Sequence, residues 1–140
     1  MPGKYGSNSV TAAYDDAQSG TARTITSLLV SIGGVKIVAK SQTTTAYGDT
    51  VEKQLPTGVK ELPDIDIEGW WDTTSTTGSH AVFGSPDTDP NGGTRTLTLV
   101  FGDSKTWTSE GYLKEYEVLA QVGNLTKFKA KCSQVSGAWS

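Results

Sequence analysis

Apolar residues recur at alternate positions in several separated stretches of the chain, and no stretch sustains the three-and-four spacing of a long amphipathic helix. The clearest alternation covers residues 64–72, with Ile65, Ile67 and Gly69 on one face and Asp64, Asp66, Glu68 and Trp70 on the other. Residues 94–101 repeat it, setting Arg95, Leu97, Leu99 and Phe101 against Thr94, Thr96, Thr98 and Val100. Residues 126–135 set Phe128, Ala130 and Cys132 against Lys127, Lys129 and Lys131. Residues 105–117 carry Trp107, Tyr112 and Tyr116. They complete a run of three C-terminal strands, with turns at Gly102-Asp103-Ser104 and Gly123-Asn124.

The N-terminal half is less regular. A first strand is expected over residues 9–14, followed by a polar loop over 15–20. Residues 23–32 are rich in apolar side chains but alternate imperfectly, which predicts either one bulged strand or two short ones. Gly33-Gly34 reads as a hairpin turn into residues 35–40, where Val35, Ile37 and Ala39 share one face and Lys36 and Lys40 the other. The pattern then dissolves over residues 41–63, through Tyr47-Gly48-Asp49-Thr50 and Leu55-Pro56-Thr57-Gly58. This stretch exceeds the roughly 12–15 residues at which structureless loops become uncommon. Part of it is expected to continue the preceding strand, and the remainder is either mobile or held by a partner. Asp72-Thr73-Thr74-Ser75 offers a cap for a short helix over residues 76–83, ended by Gly84, and residues 87–93 form a turn. The expectation is one all-β domain over residues 1–140. It is a β-sandwich or barrel-like subunit with one short flanking helix and a long loop at 41–63, and residues 1–22 are open to reading as an extended N-terminal arm.

Composition sharpens this only at a few points. Threonine and 16 glycines suit pleated strands and tight turns. The formal net charge is −3 without any basic run, so the clustered cations needed to displace counterions from a nucleic-acid duplex are missing. No segment approaches the roughly 20 apolar residues of a membrane-spanning helix, so no membrane anchor is expected. The single cysteine, Cys132, cannot form an intramolecular disulfide and reads as a small buried hydrophobe.

Candidate chemistry is sparse. The one histidine, His80, lies in the short helix with no nucleophile elbow nearby in sequence, so a catalytic triad has little support and the chain is not expected to be an enzyme. Asp64, Asp66 and Glu68 could in principle share a proton or a cation, but stacked along a strand they read as a solvated face. Asp87-Thr88-Asp89-Pro90-Asn91-Gly92 begins like a calcium loop, yet its twelfth position is Thr98 rather than a bidentate glutamate. No cofactor is expected. Trp70 and Trp71, adjacent on a strand, point to opposite faces, which favours cover on both sides.

Several segments taken in order resemble the tail tube (major tail) proteins of long-tailed, siphophage-type bacteriophages. They are Ile32-Gly33-Gly34-Val35-Lys36-Ile37 with Ala46-Tyr47-Gly48-Asp49, Leu62-Pro63-Asp64-Ile65, Glu68-Gly69-Trp70-Trp71-Asp72-Thr73, Thr96-Leu97-Thr98-Leu99-Val100-Phe101-Gly102, and Val122-Gly123-Asn124-Leu125-Thr126. The resemblance implies a virion structural protein, made in the host cytoplasm, that assembles with itself into hexameric rings stacked as the tail tube. Its partners would be further copies and other tail proteins, with DNA as non-specific cargo. It implies ring-to-ring contact through the 41–63 loop, with Tyr47, Asp49, Leu55 and Pro56 as contact residues, and a lumen lined by Asp64, Asp66 and Glu68. Two alternatives stand beside it: another phage structural protein, such as a capsid decoration or tail terminator, and a carbohydrate-binding β-sandwich using the tryptophans.

Overall fold

The alternation of the C-terminal half folds as read, because each strand there turns one face to an apolar interior. A computed structural model describes residues 10–16, 20–75, 77–102 and 104–140. Nine of the first residues assigned to the arm (1–9), the loop positions 17–19, Thr76 of the expected helix and Asp103 of the expected turn lie outside the described residues. In chain order the strands are β1 (Thr11–Asp15), β2 (Ala22–Thr24), β3 (Leu29–Gly33), β4 (Val38–Thr43), β5 (Gln54–Glu61), β6 (Ile65–Trp70), β7 (Arg95–Phe101), β8 (Lys105–Leu119) and β9 (Lys127–Trp139), and a short helix α1 covers Ser79–Phe83. All strands but β4 and β5 join one antiparallel sheet in the order β2-β1-β7-β8-β9-β6-β3. The sheet curls into a half-barrel, an all-β architecture.

The curl is produced along the long β8–β9 ribbon. Val135 is passed over between the pairs Glu110↔Ser136 and Gly111↔Gln134, and Lys114 between Leu113↔Cys132 and Glu115↔Lys131. Two bulges this close, one on each strand, bend a ribbon sharply. A Cβ on Gly111 would collide with the Ser133 carbonyl oxygen, so only glycine fits the first bend. The upstream half of β8 pairs with β7, and β7 with β1. The downstream half of the ribbon carries β6 and then β3. Residues 23–32 resolve into two short strands around a 3-10 turn, Thr26–Leu28. That turn docks on β1 through Thr26 Oγ1, which accepts the Ala12 amide at 3.0 Å, and it packs against Gly69, where any Cβ would meet the Leu28 carbonyl.

Inside the curl, Phe83 of α1 stacks between Tyr14 (5.4 Å between centroids) and Phe128 (5.1 Å). Leu97, Leu99, Trp107, Leu113, Ile65, Ile67 and Cys132 are buried around them. Burial pushes the Cys132 thiol up to about 12 and raises the Tyr14 hydroxyl above its ordinary range. Arg95, only 5% exposed, enters this interior from β7. Its Nη2 donates to Asp87 Oδ1 (2.8 Å) and to the Ser85 carbonyl (2.7 Å), and its Nη1 donates to the Val82 carbonyl (3.2 Å). Asp87 Oδ2 accepts the Leu113 amide at 2.8 Å, beside the β8 bulge. The residues read as a turn at 87–93 therefore tie α1, β7 and β8 together.

Three expectations change. Gly33-Gly34 is not a hairpin turn: β3 pairs with β6 and β4 with β5. Gly34, at φ +90° and packed on the Asp64 backbone, lets the chain leave the main sheet. Residues 41–63 are not a loop throughout, since β4 and β5 form a two-stranded antiparallel hairpin. The helix is not capped by residues 72–75. It starts after Gly78 with no side-chain cap, while Asp72 Oδ1 accepts the Thr74 amide (3.0 Å) and hydroxyl (2.8 Å), which hold the Asp72 carboxyl below its usual range. The first strand, expected over residues 9–14, is β1 at residues 11–15, hydrogen-bonded on both sides within the main sheet.

Candidate assembly surfaces

The β4–β5 hairpin is an arm. Its two roots lie close together, where Val35 and Leu62 pack on the core and Gly34 meets Asp64. Beyond them every residue of β5 is exposed. The pairing runs Val38↔Glu61 and Ala39↔Lys60, then jumps to Ser41↔Pro56, Gln42↔Leu55 and Thr43↔Gln54. The jump leaves a bulge containing Gly58 at φ +82°. At the tip, the Asp49 amide donates to the Ala46 carbonyl (3.1 Å), and Asp49 Oδ2 accepts the Ala46 amide (2.6 Å). Lys53 sits 3.3 Å from the same carboxylate. Asp49 thus shapes the tip, while Tyr47 beside it projects fully into solvent. Leu55, Val51 and Val59 are also exposed. A two-stranded ribbon with no layer behind it is marginal by itself, and an exposed ribbon carrying aliphatic side chains is suited to being covered.

A second surface is the outward face of β6, β9 and β8. The register sets Asp66 opposite Lys131, which faces Glu115, and Glu68 opposite Lys129, which faces Glu117. Each row reads acid, lysine, acid, and opposite charges directly across strands stabilise one another. Asp64 stands aside from these rows, before the strand begins, and binds Lys114 at 3.2 Å, which raises the Lys114 pKa. At the end of the face, Lys127 Nζ lies 5.3 Å over the Trp70 ring. The alternation on β6 was legible in sequence. The interleaved Lys129 and Lys131 were not assigned to the same face, because strand order is a tertiary property. The face is mixed in charge rather than purely acidic.

His80 Nδ1 and the Tyr116 hydroxyl are 3.1 Å apart, with Trp71 edge-on to the imidazole at 5.7 Å. Burial raises the Tyr116 pKa. Trp70 and Trp71 do fall on opposite sides, and each keeps about a third of its surface exposed. Among the described residues no group of three or more His, Cys, Asp or Glu side chains is placed to hold a metal ion, and no helix is long and apolar enough to cross a membrane.

This fold is similar to that of chains found in the tails and tubes of phage-like particles. Over 99% of its length, and 98% of the other chain, this protein is similar to a chain from the tail of an empty gene transfer agent particle refined with C6 symmetry (14% identity, TM-score 0.69). It is similar over 100% of its length and 99% of the other to a chain of the sheath/tube terminator of an extracellular contractile injection system in the extended state (10% identity, TM-score 0.70). The sheath-tube complex of such an injection system contains another similar chain (10% identity, TM-score 0.63, 96% and 91% covered). No protein-family model and no curated protein matches the sequence.

Proposed function

We propose that this protein is a structural, non-catalytic subunit of a phage-type tail, made in the host cytoplasm, that assembles into six-fold rings stacked as a tube for DNA passage. The observation that carries the reading is the end-to-end match of the fold to chains of a C6-symmetric tail and a sheath-tube complex. The exposed arm supports it, because a ribbon without a hydrophobic backing is stabilised by a neighbour. In this reading Tyr47, Leu55 and Pro56 reach the adjacent ring and Asp49 holds the tip in the shape that does so. Asp66 and Glu68, with Asp64 at their margin, face the lumen. There the lysines of β9 reduce the negative potential, leaving a weakly acidic wall along which a polyanion slides.

Negative-stain electron microscopy of the purified protein, with light scattering across concentration, tests the assembly. Hollow tubes are expected. Removing residues 45–58 should leave a folded subunit that forms no tubes, and tubes of unchanged length from that variant would refute the role of the arm. A second reading, a tube terminator, is favoured by the full-length match to a sheath/tube terminator chain. It predicts single rings that never elongate.

A further inference from the structure

The run Asp87-Thr88-Asp89-Pro90-Asn91-Gly92 begins like a calcium loop but forms no metal-binding group among the described residues. It does hold a reactive pair of another kind. Asn91 is followed by glycine, whereas the other two asparagines, Asn8 and Asn124, are followed by Ser9 and Leu125. An asparagine side-chain amide is open to attack by the backbone nitrogen of the next residue, and glycine, without a Cβ, leaves that nitrogen uncrowded. Asn91 and Gly92 are both exposed, so base and water reach them. In the reaction the Gly92 nitrogen bonds to Asn91 Cγ and the Cγ–Nδ2 bond breaks. Nδ2 leaves as ammonia, carrying the proton that the Gly92 nitrogen gives up. One water then opens the cyclic imide. Opening on the Cγ side gives aspartate, and opening at the main-chain carbonyl gives isoaspartate, whose chain runs through the side chain and is one atom longer. Either product carries a new carboxylate, ionised at neutral pH.

The folded turn holds the pair short of this reaction. The Gly92 amide donates to the Asp89 carbonyl at 3.1 Å, and the Asn91 amide donates to Asp89 Oδ1 at 2.9 Å. Asn91 does not take a positive φ, so residues 89–92, with Pro90 second, form a type I turn whose third residue sits at ψ of about 0°. Ring closure needs the Gly92 nitrogen eclipsed with Asn91 Cβ about the Cα–C bond, a rotation of roughly 120° from that ψ. The rotation also breaks the bond from the Gly92 amide to Asp89. We infer that Asn91 is a deamidation site latched by Asp89, closed while the turn is made and reactive when it opens. The site lies between Asp87 and Arg95, whose ion pair at 2.8 Å ties the two ends of the segment together. Isoaspartate therefore lengthens a segment whose ends are fixed. The change is irreversible, so it accumulates with the time the turn has spent open.

The full-length protein is incubated at mildly alkaline pH, which speeds loss of the amide proton, both folded and in urea above its unfolding midpoint. Mass spectrometry then follows the tryptic peptide spanning residues 61–95, in which Asn91 is the only asparagine and glutamine is absent. In urea, Asn91 is expected to deamidate ahead of Asn8 and Asn124. In the folded protein it should react at least about tenfold more slowly, because only the locally opened turn is competent. Asp89→Ala removes the Oδ1 acceptor and leaves the Asp87–Arg95 pair in place. It should raise the folded rate about threefold or more and change the urea rate by less than about twofold. Gly92→Ala, whose Cβ crowds the nitrogen, should slow the reaction in urea. Equal wild-type rates folded and in urea would remove the latch. A folded Asp89→Ala rate equal to wild type would remove the part given to Asp89. A wild type in which Asn91 reacts no faster in urea than Asn8 or Asn124 would overturn the site itself.

Discussion

Replacing Asp87 by alanine tests whether the polar junction between α1, β7 and β8 is what fixes the sheet's curl. Asp87 accepts hydrogen bonds from Arg95 Nε (3.1 Å) and Nη2 (2.8 Å) at one oxygen and from the Leu113 amide (2.8 Å) at the other. Arg95 is buried and always charged, so removing its carboxylate leaves a buried cation with the Val82 and Ser85 carbonyls and the Tyr14 ring for partners, and no counter-charge beside it among the described residues. Breaking a buried pair in this way costs about 3–5 kcal/mol. The Asp87 side chain is 29% exposed, so water partly replaces it and the lower end, about 3 kcal/mol, applies. At an unfolding entropy of roughly 2.1 cal/mol/K per residue, a chain of this size loses about 3.4 °C per kcal/mol, so its Tm should fall by about 10 °C. Urea unfolding followed by tryptophan fluorescence reads the change, because Trp107 passes from full burial to water. Asp89→Ala is the control. The Asp89 carboxylate accepts the Asn91 amide within its own turn, and its loss should cost less than about 0.5 kcal/mol. Adding Arg95→Met to Asp87→Ala should recover part of the stability, since a buried cation is exchanged for an apolar side chain of similar length. If Asp87→Ala lies within about 1 kcal/mol of wild type, or if Asp89→Ala costs as much, the junction is not the constraint described.

Gly111→Ala should destabilise by about 1–3 kcal/mol or prevent folding, because its Cβ collides with the Ser133 carbonyl at the ribbon's bend; thermal denaturation by circular dichroism measures it. Tyr14→Phe should leave the melting point unchanged or raise it slightly, since among the described residues the buried Tyr14 hydroxyl meets only the weakly bonding Cys132 thiol; a fall of several degrees would show that the hydroxyl is well satisfied. For Cys132, the folded thiol titrates near 12 against an ordinary 9.0, so the folded state holds the proton more tightly than the unfolded one. Its contribution is complete below about pH 9 and is lost as pH rises toward 12, with a slope of up to about 1.4 kcal/mol per pH unit for one proton. The urea midpoint should therefore fall more steeply between pH 9 and 11 in the wild type than in Cys132→Ala, and equal slopes would refute the assignment.

What the sequence disclosed depended on whether a strand had one face in the core. β6, β7 and β9 do, and Ile65/Ile67, Leu97/Leu99 and Phe128/Ala130/Cys132 announced them. β5 has neither face buried, so no selection for alternation acts on it, and Pro56 and Gly58 further masked its extended backbone. The Gly33-Gly34 turn was misread because hairpin vocabulary is local, whereas β3's partner β6 lies about 35 residues downstream. The helix cap failed for a similar reason: Asp72 spends its carboxylate on Thr74, and the donors of the next turn were reached by its backbone carbonyl at His80 instead. On the charged face, Asp66 and Glu68 were legible one strand at a time. Their lysine neighbours belong to β9 and became visible only with the strand order. Arg95 was correctly placed with Leu97 and Leu99, but its carboxylate partner, disguised in a turn-like run, was beyond reach of any pattern.

The strand order also sets a timetable. β7, β8 and β9 are joined by short turns and can zip together as soon as they leave the ribosome, with little loop entropy to overcome. β1 meets β2 locally, but its other edge has no such nearby partner. That edge must wait for β7, so that Thr11 meets Val100 and Tyr14 meets Leu97 at sequence separations of 89 and 83. A groove of about 590 Å³ between β1 and β3 takes Val10 and Ala12 from one end of this long closure and Phe101 from the other. It comes into being only when the last strands have been made, so a half-synthesised chain carries the arm but not the groove.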